Sequence, residues 1–147
     1  MYKNILIPTD GSALSRKAAV NGVKLARAVG AKVTGFYAAP PATPIEYKGI
    51  LPVGYAPPEK HARLIEKAVA GYLGFIEKTA KAAGVPCKTA HLTSDFPADA
   101  IVAAAQRLKC DLIFMASHGR RGLTGLLLGS QTQKVLLESR VPVLVDR

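Results

Sequence analysis

The sequence predicts an α/β domain: a five-stranded parallel sheet with helices packed on both faces. Three observations support that expectation. Short apolar runs alternate with longer segments of helical periodicity along the whole 147-residue chain, in the order β-α-β-α-β-α-β-α-β. The run Asp111-Leu-Ile-Phe-Met-Ala116 is apolar on consecutive positions, as strands covered on both faces are. The richest loop chemistry follows strands, and open parallel sheets bind ligands beyond the carboxyl ends of their strands, where the strand order reverses.

The first strand is read over Lys3–Ile7 and gives way at Pro8-Thr-Asp-Gly-Ser12. Ser12 or Ser15 can cap the following helix, Ala13 to Val29, whose apolar positions Ala18, Ala19, Val23, Leu25, Ala26 and Val29 recur at three and four residues until Gly30. Lys32–Ala38 is the second strand. Residues 39–58 are rich in proline and carry Gly49 and Gly54; they cannot propagate a helix and are expected to form a surface loop. Glu59–Ala83 predicts a long helix with Ile65, Val69, Tyr72 and Ile76 on one face, ended by Gly84-Val-Pro86. Cys87–Thr93 alternates as a strand, and Pro97–Leu108 is a helix with proline in its first turn. The fourth strand is Asp111–Ala116, followed by helix Gln131–Ser139 and strand Val141–Val145. Both faces of that last strand are apolar, which predicts a place inside a core, while Pro142 cannot donate to a ladder and fits the start of an edge strand.

A chain of this length supports one domain with a full core, and 49% hydrophobic residues exclude a disordered protein. Apolar runs of four to seven residues are too short to span a membrane, and the N-terminus is too brief in charge and apolar length for a secretory signal. A cytoplasmic protein is expected. Cys87 and Cys110 have no CxxC spacing and no histidine partner at ligand spacing, so no protein-held metal is expected. The net charge of +10 favours anions. Its basic residues are spread along the sequence on helix faces, so neither DNA nor a membrane is expected as a partner.

The most informative stretch is Met115-Ala-Ser-His-Gly-Arg-Arg-Gly-Leu-Thr-Gly-Leu-Leu-Leu-Gly-Ser130. A buried strand runs into a loop with glycines at 119, 122, 125 and 129 and then into a helix start. Glycines let backbone N–H groups approach a ligand, and a helix N-terminus adds unpaired donors and the positive end of its dipole. Together they form a phosphate cradle. Asp10 ends the first strand beside the expected switch point. It is read as a nucleotide-facing carboxylate rather than only a turn residue. His118 has no nucleophile or carboxylate at local spacing, so no catalytic residue is assigned. His61 and His91 stand alone. The chain has neither GxxxxGK[ST] nor GxGxxG after its first strand, which removes the central feature of P-loop and dinucleotide-binding enzymes.

The segments Ile5-Leu-Ile-Pro-Thr-Asp-Gly-Ser12, Ser117-His-Gly-Arg-Arg-Gly-Leu123, Leu128-Gly-Ser130 and Val141-Pro-Val-Leu-Val145 resemble, in order and spacing, the universal stress protein family. The resemblance implies a flavodoxin-like sheet of order 3-2-1-4-5 and a single nucleotide-binding domain over residues 1–147. It also implies stress-linked regulatory or protective roles and a cytoplasmic homodimer joined through the last strand. One branch of the family binds ATP through a pattern of Gly, two residues, Gly, nine residues, then Gly followed by Ser or Thr. Gly119 and Gly129-Ser130 match the later positions, whereas Ala116 replaces the first glycine.

Carried over by position, Pro8, Thr9, Asp10 and Ala38 would border the adenosine. Met115, Ala116, Ser117, His118 and Gly119 would follow the ribose and α-phosphate. Gly119, Arg120 and Gly122 would wrap the phosphates, with Gly129, Ser130, Gln131 and Thr132 donating from the helix start. Magnesium or manganese is implied only as a companion of the phosphates. Three functions stay open: an ATP-binding regulatory protein, a slow ATPase or phosphotransferase, and a dimeric scaffold in which Ala116 closes the site.

Overall fold

The computed structural model describes residues 1–41, 58–119 and 127–147. Most of the expected proline-rich loop, and Arg120, Arg121, Gly122 and Gly125, lie outside the described residues. The strands are β1 (Asn4–Pro8), β2 (Lys32–Ala39), β3 (Cys87–Thr93), β4 (Leu112–Ala116) and β5 (Val143–Asp146). They alternate with α1 (Ala13–Val29), α2 (Pro58–Ala82), α3 (Pro97–Arg107) and α4 (Ser130–Glu138). The sheet is parallel throughout, in the order β3-β2-β1-β4-β5. The chain builds outward from β1 to β3, then returns to place β4 on the other side of β1. The switch in strand order therefore falls between β1 and β4, as expected of this topology.

Period-two alternation sorts the strand side chains onto two cores. Ile5, Ile7, Val33, Leu112 and Phe114 face α1 and α2. Leu6, Phe36, Ile113 and Met115 face α3 and α4. Ile5, Leu6, Ile7, Phe36 and Ile113 are completely buried, each contributing on the order of 1.5–3 kcal/mol through transfer from water. This double burial explains the unbroken apolar runs of β1 and β4.

Of the two serines that could cap α1, Ser12 does so, accepting from Ser15 N–H at 3.2 Å. Ser15 is buried and turns its hydroxyl to Thr9 Oγ1, 3.1 Å away. Gly30 closes α1 with φ +73°. Other boundaries agree with the periodicity to within one or two residues, the largest difference being β5, which begins after Pro142. The expectation that β5 lies inside a core is corrected. It is an edge strand paired only with β4 among the described strands. Leu144 is 38% exposed and Val143 and Val145 are half-buried. Two apolar faces indicated burial, but one chain supplies no cover for the outer edge. The edge position suggested by Pro142 is the one observed.

Candidate functional site

Three strand ends and one helix start meet at the switch point. Beyond β1 the chain turns through Thr9, Asp10 and Gly11. Thr9 N–H donates to the Phe36 carbonyl at 2.9 Å, and Thr9 Oγ1 accepts from Gly11 N–H at 3.1 Å. Asp10 Oδ1 accepts from Ser12 N–H at 2.9 Å, the side-chain-to-backbone bond typical of Asp before a helix. Asp10 Oδ2 lies against Gly119 on the opposite bank: a Cβ added to Gly119 would overlap that oxygen. The carboxylate thus orders its own turn and also faces the β4 loop.

On the other bank, Ser117 N–H is held by the Asp146 carbonyl at 2.9 Å, which fixes where the chain leaves β4. Gly129 N–H donates to the Ser117 carbonyl at 2.8 Å. A Cβ on Gly129 would stand 3.3 Å from both that carbonyl oxygen and His118 Cα. Glycine leaves these two backbones room that a side chain would make tight. Thr132 Oγ1 donates to the Ala116 carbonyl at 3.0 Å, tying the first turn of α4 to the end of β4. Gly129 is the N-cap of α4 and provides no side-chain acceptor. The first intrahelical bond is Gln133 N–H to the Gly129 carbonyl at 3.0 Å, so the N–H groups of Ser130, Gln131 and Thr132 precede the helix's own bonding pattern. They face the crevice end of the sheet with the positive end of the helix dipole.

His118 follows Ser117 on the β4 bank. Its Nδ1 is 3.0 Å from Ser117 Oγ, while its Nε2 is enclosed and has no hydrogen-bond partner among the described residues. A buried ring nitrogen without a partner costs on the order of 1–3 kcal/mol, so it marks a place where a polar ligand atom would be favourable.

The remaining expected residues divide by what they can offer. Pro8 ends β1. Ala38 lies half-buried on β2, two residues beyond the Pro8–Phe36 pairing. Met115 and Ala116 are 6% and 7% exposed and belong to opposite cores; only their backbones reach the crevice. Ala116 also has an ordinary negative φ, since Lys109 is the one non-glycine residue described with a positive value. Thr132 is buried with its hydroxyl turned inward. The Gln131 side chain is directed elsewhere: its Oε1 accepts from Ala98 N–H at 3.1 Å, capping α3, whose own N-cap Phe96 has no side-chain acceptor. No local motif signals that bond, because its partners are 33 residues apart.

A separate cavity of about 430 Å³ opens between α2 and the far edge of the sheet, where His61, Glu66, Val69, His91 and Thr93 are among its lining residues. None of the expected nucleotide residues lines it. Neither cysteine lies at the switch point. Burial raises both thiols above their ordinary value, assisted at Cys87 by Glu77, so each is a poor thiolate nucleophile. Among the described residues no three His, Cys, Asp or Glu side chains are grouped to hold a metal ion, and no helix is long and apolar enough to cross a membrane.

The family model of the universal stress proteins matches residues 1–147. The chain belongs to the universal stress protein family. It is 35% identical over 151 residues to a universal stress protein of Thermus aquaticus, covering 100% of both chains. It is 34% identical to universal stress protein MJ0531 of Methanocaldococcus jannaschii, covering 99% of this chain and 82% of that one. The solved structure of protein MJ0577, from the same archaeon, superposes with a TM-score of 0.71 at 29% identity over 99% of this chain and 95% of the other. Two more distant universal stress proteins share the fold and were solved with nucleotides. One, with cAMP, has a TM-score of 0.69 at 24% identity, over 99% of this chain and 97% of that one. The other, from Archaeoglobus fulgidus with dAMP, has a TM-score of 0.67 at 19% identity, over 99% and 98%.

Proposed function

We propose that this universal stress protein domain, residues 1–147, binds ATP in the crevice between the ends of β1 and β4 and acts as a stress-response regulatory or protective protein. The observation that carries the proposal is the convergence at Gly129. The backbone there packs tightly on Ser117 and His118, where a Cβ would stand only 3.3 Å from their backbone atoms, and it opens directly into an α4 start with no side-chain cap. That arrangement is suited to an anion. The enclosed His118 Nε2 adds a polar group in need of a partner. The complexes of two proteins of the same fold with cAMP and dAMP support an adenine nucleotide as the ligand.

Pro8, Thr9, Asp10 and Ala38 border the adenosine, and the backbone from Met115 through Gly119 follows the ribose and first phosphate. Gly119, Arg120, Gly122, Gly129, Ser130, Gln131 and Thr132 complete the phosphate side. The N–H groups rather than the side chains of Gln131 and Thr132 serve there, since both side chains are bonded elsewhere. Magnesium or manganese would be held through the phosphates rather than by a protein cage. Asp10 is the carboxylate nearest the phosphate-side loop among the described residues, and one carboxylate does not supply the base, metal ligand and charge stabiliser that phosphoryl transfer needs. A ligand or switch role is therefore favoured over turnover. The scaffold alternative is disfavoured because the Ala116 methyl is taken up by the core under α1.

Titration of the purified protein with ATP tests the proposal. Gly129→Val places a branched side chain against the 117–119 backbone, and ATP affinity should fall at least about tenfold, roughly 1.4 kcal/mol. Unchanged affinity in a folded Gly129→Val protein would exclude the site. Multiple turnover of ATP by the wild type would favour the enzyme instead.

A further inference from the structure

The basic residues are scattered in the sequence, but the fold collects them. α1 and α2 lie side by side over one face of the sheet. Between them they carry nine Lys and Arg against three Glu, a surplus of six within the chain's +10. The layer on the opposite face is balanced: Arg107 and Lys134 on α3 and α4 are matched by Asp99 and Glu138.

The positions sharpen the surplus, most clearly on α1. On α1, Arg16, Lys17, Lys24 and Arg27 fall within a sector of about 100° at 3.6 residues per turn, and the helix has no acidic residue. On α2, Lys60, Arg63, Lys67, Lys78 and Lys81 fall within about 60°, on a line about 32 Å long. Between Lys67 and Lys78 the same stripe carries Ala70, Gly71 and Gly74, so nothing projects between its two basic ends. The acids of α2, Glu59, Glu66 and Glu77, form their own line on the flank toward β3, where Glu77 accepts from Thr89 Oγ1 at 3.0 Å. All nine basic side chains are exposed. Among the described residues Lys134 pairs with Asp99 at 3.1 Å on the opposite layer, and of the nine Lys17 is engaged at the β5 end, its Nζ donating to the Arg147 terminal oxygen at 2.9 Å.

The kind of anion follows from what else the face presents. The neutral polar side chains of the two helices turn to partners within the protein. Ser15 bonds Thr9, Asn21 donates to Asp146 at 2.9 Å and His61 bonds the Pro40 carbonyl at 2.9 Å. Thr79 donates to the Phe75 carbonyl at 2.7 Å, and Tyr72 packs edge-on against Tyr37. The outer surface is left with cations, small residues and the exposed Leu64, 51% accessible. It has no amide or hydroxyl to read base edges and no aromatic ring to stack on bases, and two parallel helices offer no projecting element for a groove. Lys and Arg spread over a broad, smooth two-helix plate match a plane of anionic headgroups.

We infer that the outer face of the α1–α2 layer docks on an anionic lipid surface, independently of the nucleotide crevice. The test is co-sedimentation of the full chain with phosphatidylcholine vesicles that contain or lack phosphatidylserine, across a salt series. Binding is expected only with phosphatidylserine present and should weaken as salt rises. The triple variant Lys60→Glu, Arg63→Glu, Lys67→Glu should lower the partition coefficient at least about tenfold. Lys3→Glu, Lys88→Glu, Arg107→Glu makes the same change in net charge at exposed positions off this face and should lower it far less. Absence of binding to phosphatidylserine vesicles at low salt overturns the inference, and so does equal loss in the two triple variants, which would reduce the effect to net charge. Displacement from the vesicles by an equal charge of random-sequence duplex DNA would assign the face to nucleic acid instead.

Discussion

Ala116 stands where the ATP-binding pattern has its first glycine, and two features decide what its methyl does. The residue is in a strand with ordinary φ, so no left-handed backbone needs glycine there. Ala116 as a whole is 7% exposed and belongs to the α1-side core. Ala116→Gly should therefore leave ATP affinity within about 1 kcal/mol of the parent, while lowering stability by roughly 1 kcal/mol through added backbone freedom and lost burial. Parallel ATP titration and thermal unfolding check both effects. A large loss of affinity with stability intact would mean that the methyl itself contacts the nucleotide. Gly119 and Gly129 differ from Ala116 in kind: at each of them a Cβ would meet protein atoms at the crevice, so the absence of a side chain shapes the site directly.

At the scale of elements, α3 and α4 are linked at their N-termini by one side chain. Phe96 cannot cap α3, and Gln131 Oε1 receives the Ala98 N–H instead. Gln131→Ala would leave that N–H without its acceptor, at a cost of about 1–2 kcal/mol. ATP affinity should change little, because the proposed phosphate donor at this position is the backbone N–H. A lowered urea midpoint with ATP binding preserved is the expected pair of results; the opposite pair would make the Gln131 amide a nucleotide contact. This link also shows where sequence reading stops. Hydrophobic periodicity, Ser12 and Gly30 place α1, and the unbroken apolar runs place β1 and β4, because each signal is local. The glycines of the β4 loop likewise point to the strand end at which the proposed nucleotide site lies. The Gln131 bond, the Asp10 carboxylate against Gly119 and the inward turn of Thr132 join residues far apart in sequence, and only the packed fold brings them together. The edge position of β5 was half legible: Pro142 pointed to it, and the apolar alternation pointed away.

For the whole molecule, the unsolved packing question is the outer side of β5. Val143, Leu144 and Val145 bond to β4 on one side, and among the described strands none pairs with the other side. Nearby on the surface-facing side of α4, Leu136 and Leu137 are 40% and 85% exposed. An open apolar edge is an aggregation hazard that a two-fold partner strand would remove. The proposed homodimer through β5 therefore accounts for an apolar strand at the sheet margin, and Asp146 and Arg147 remain tied back to α1 through Asn21 and Lys17, which holds the edge in place. Light scattering on the wild type should give the mass of a dimer at micromolar concentration. Leu144 is already partly exposed in the single chain, so Leu144→Lys should cost the fold little and shift the equilibrium toward monomer; Val143→Lys and Val145→Lys, on half-buried side chains, should lower stability as well. A monomer mass for the wild type would rule out this interface and leave the edge to a different partner.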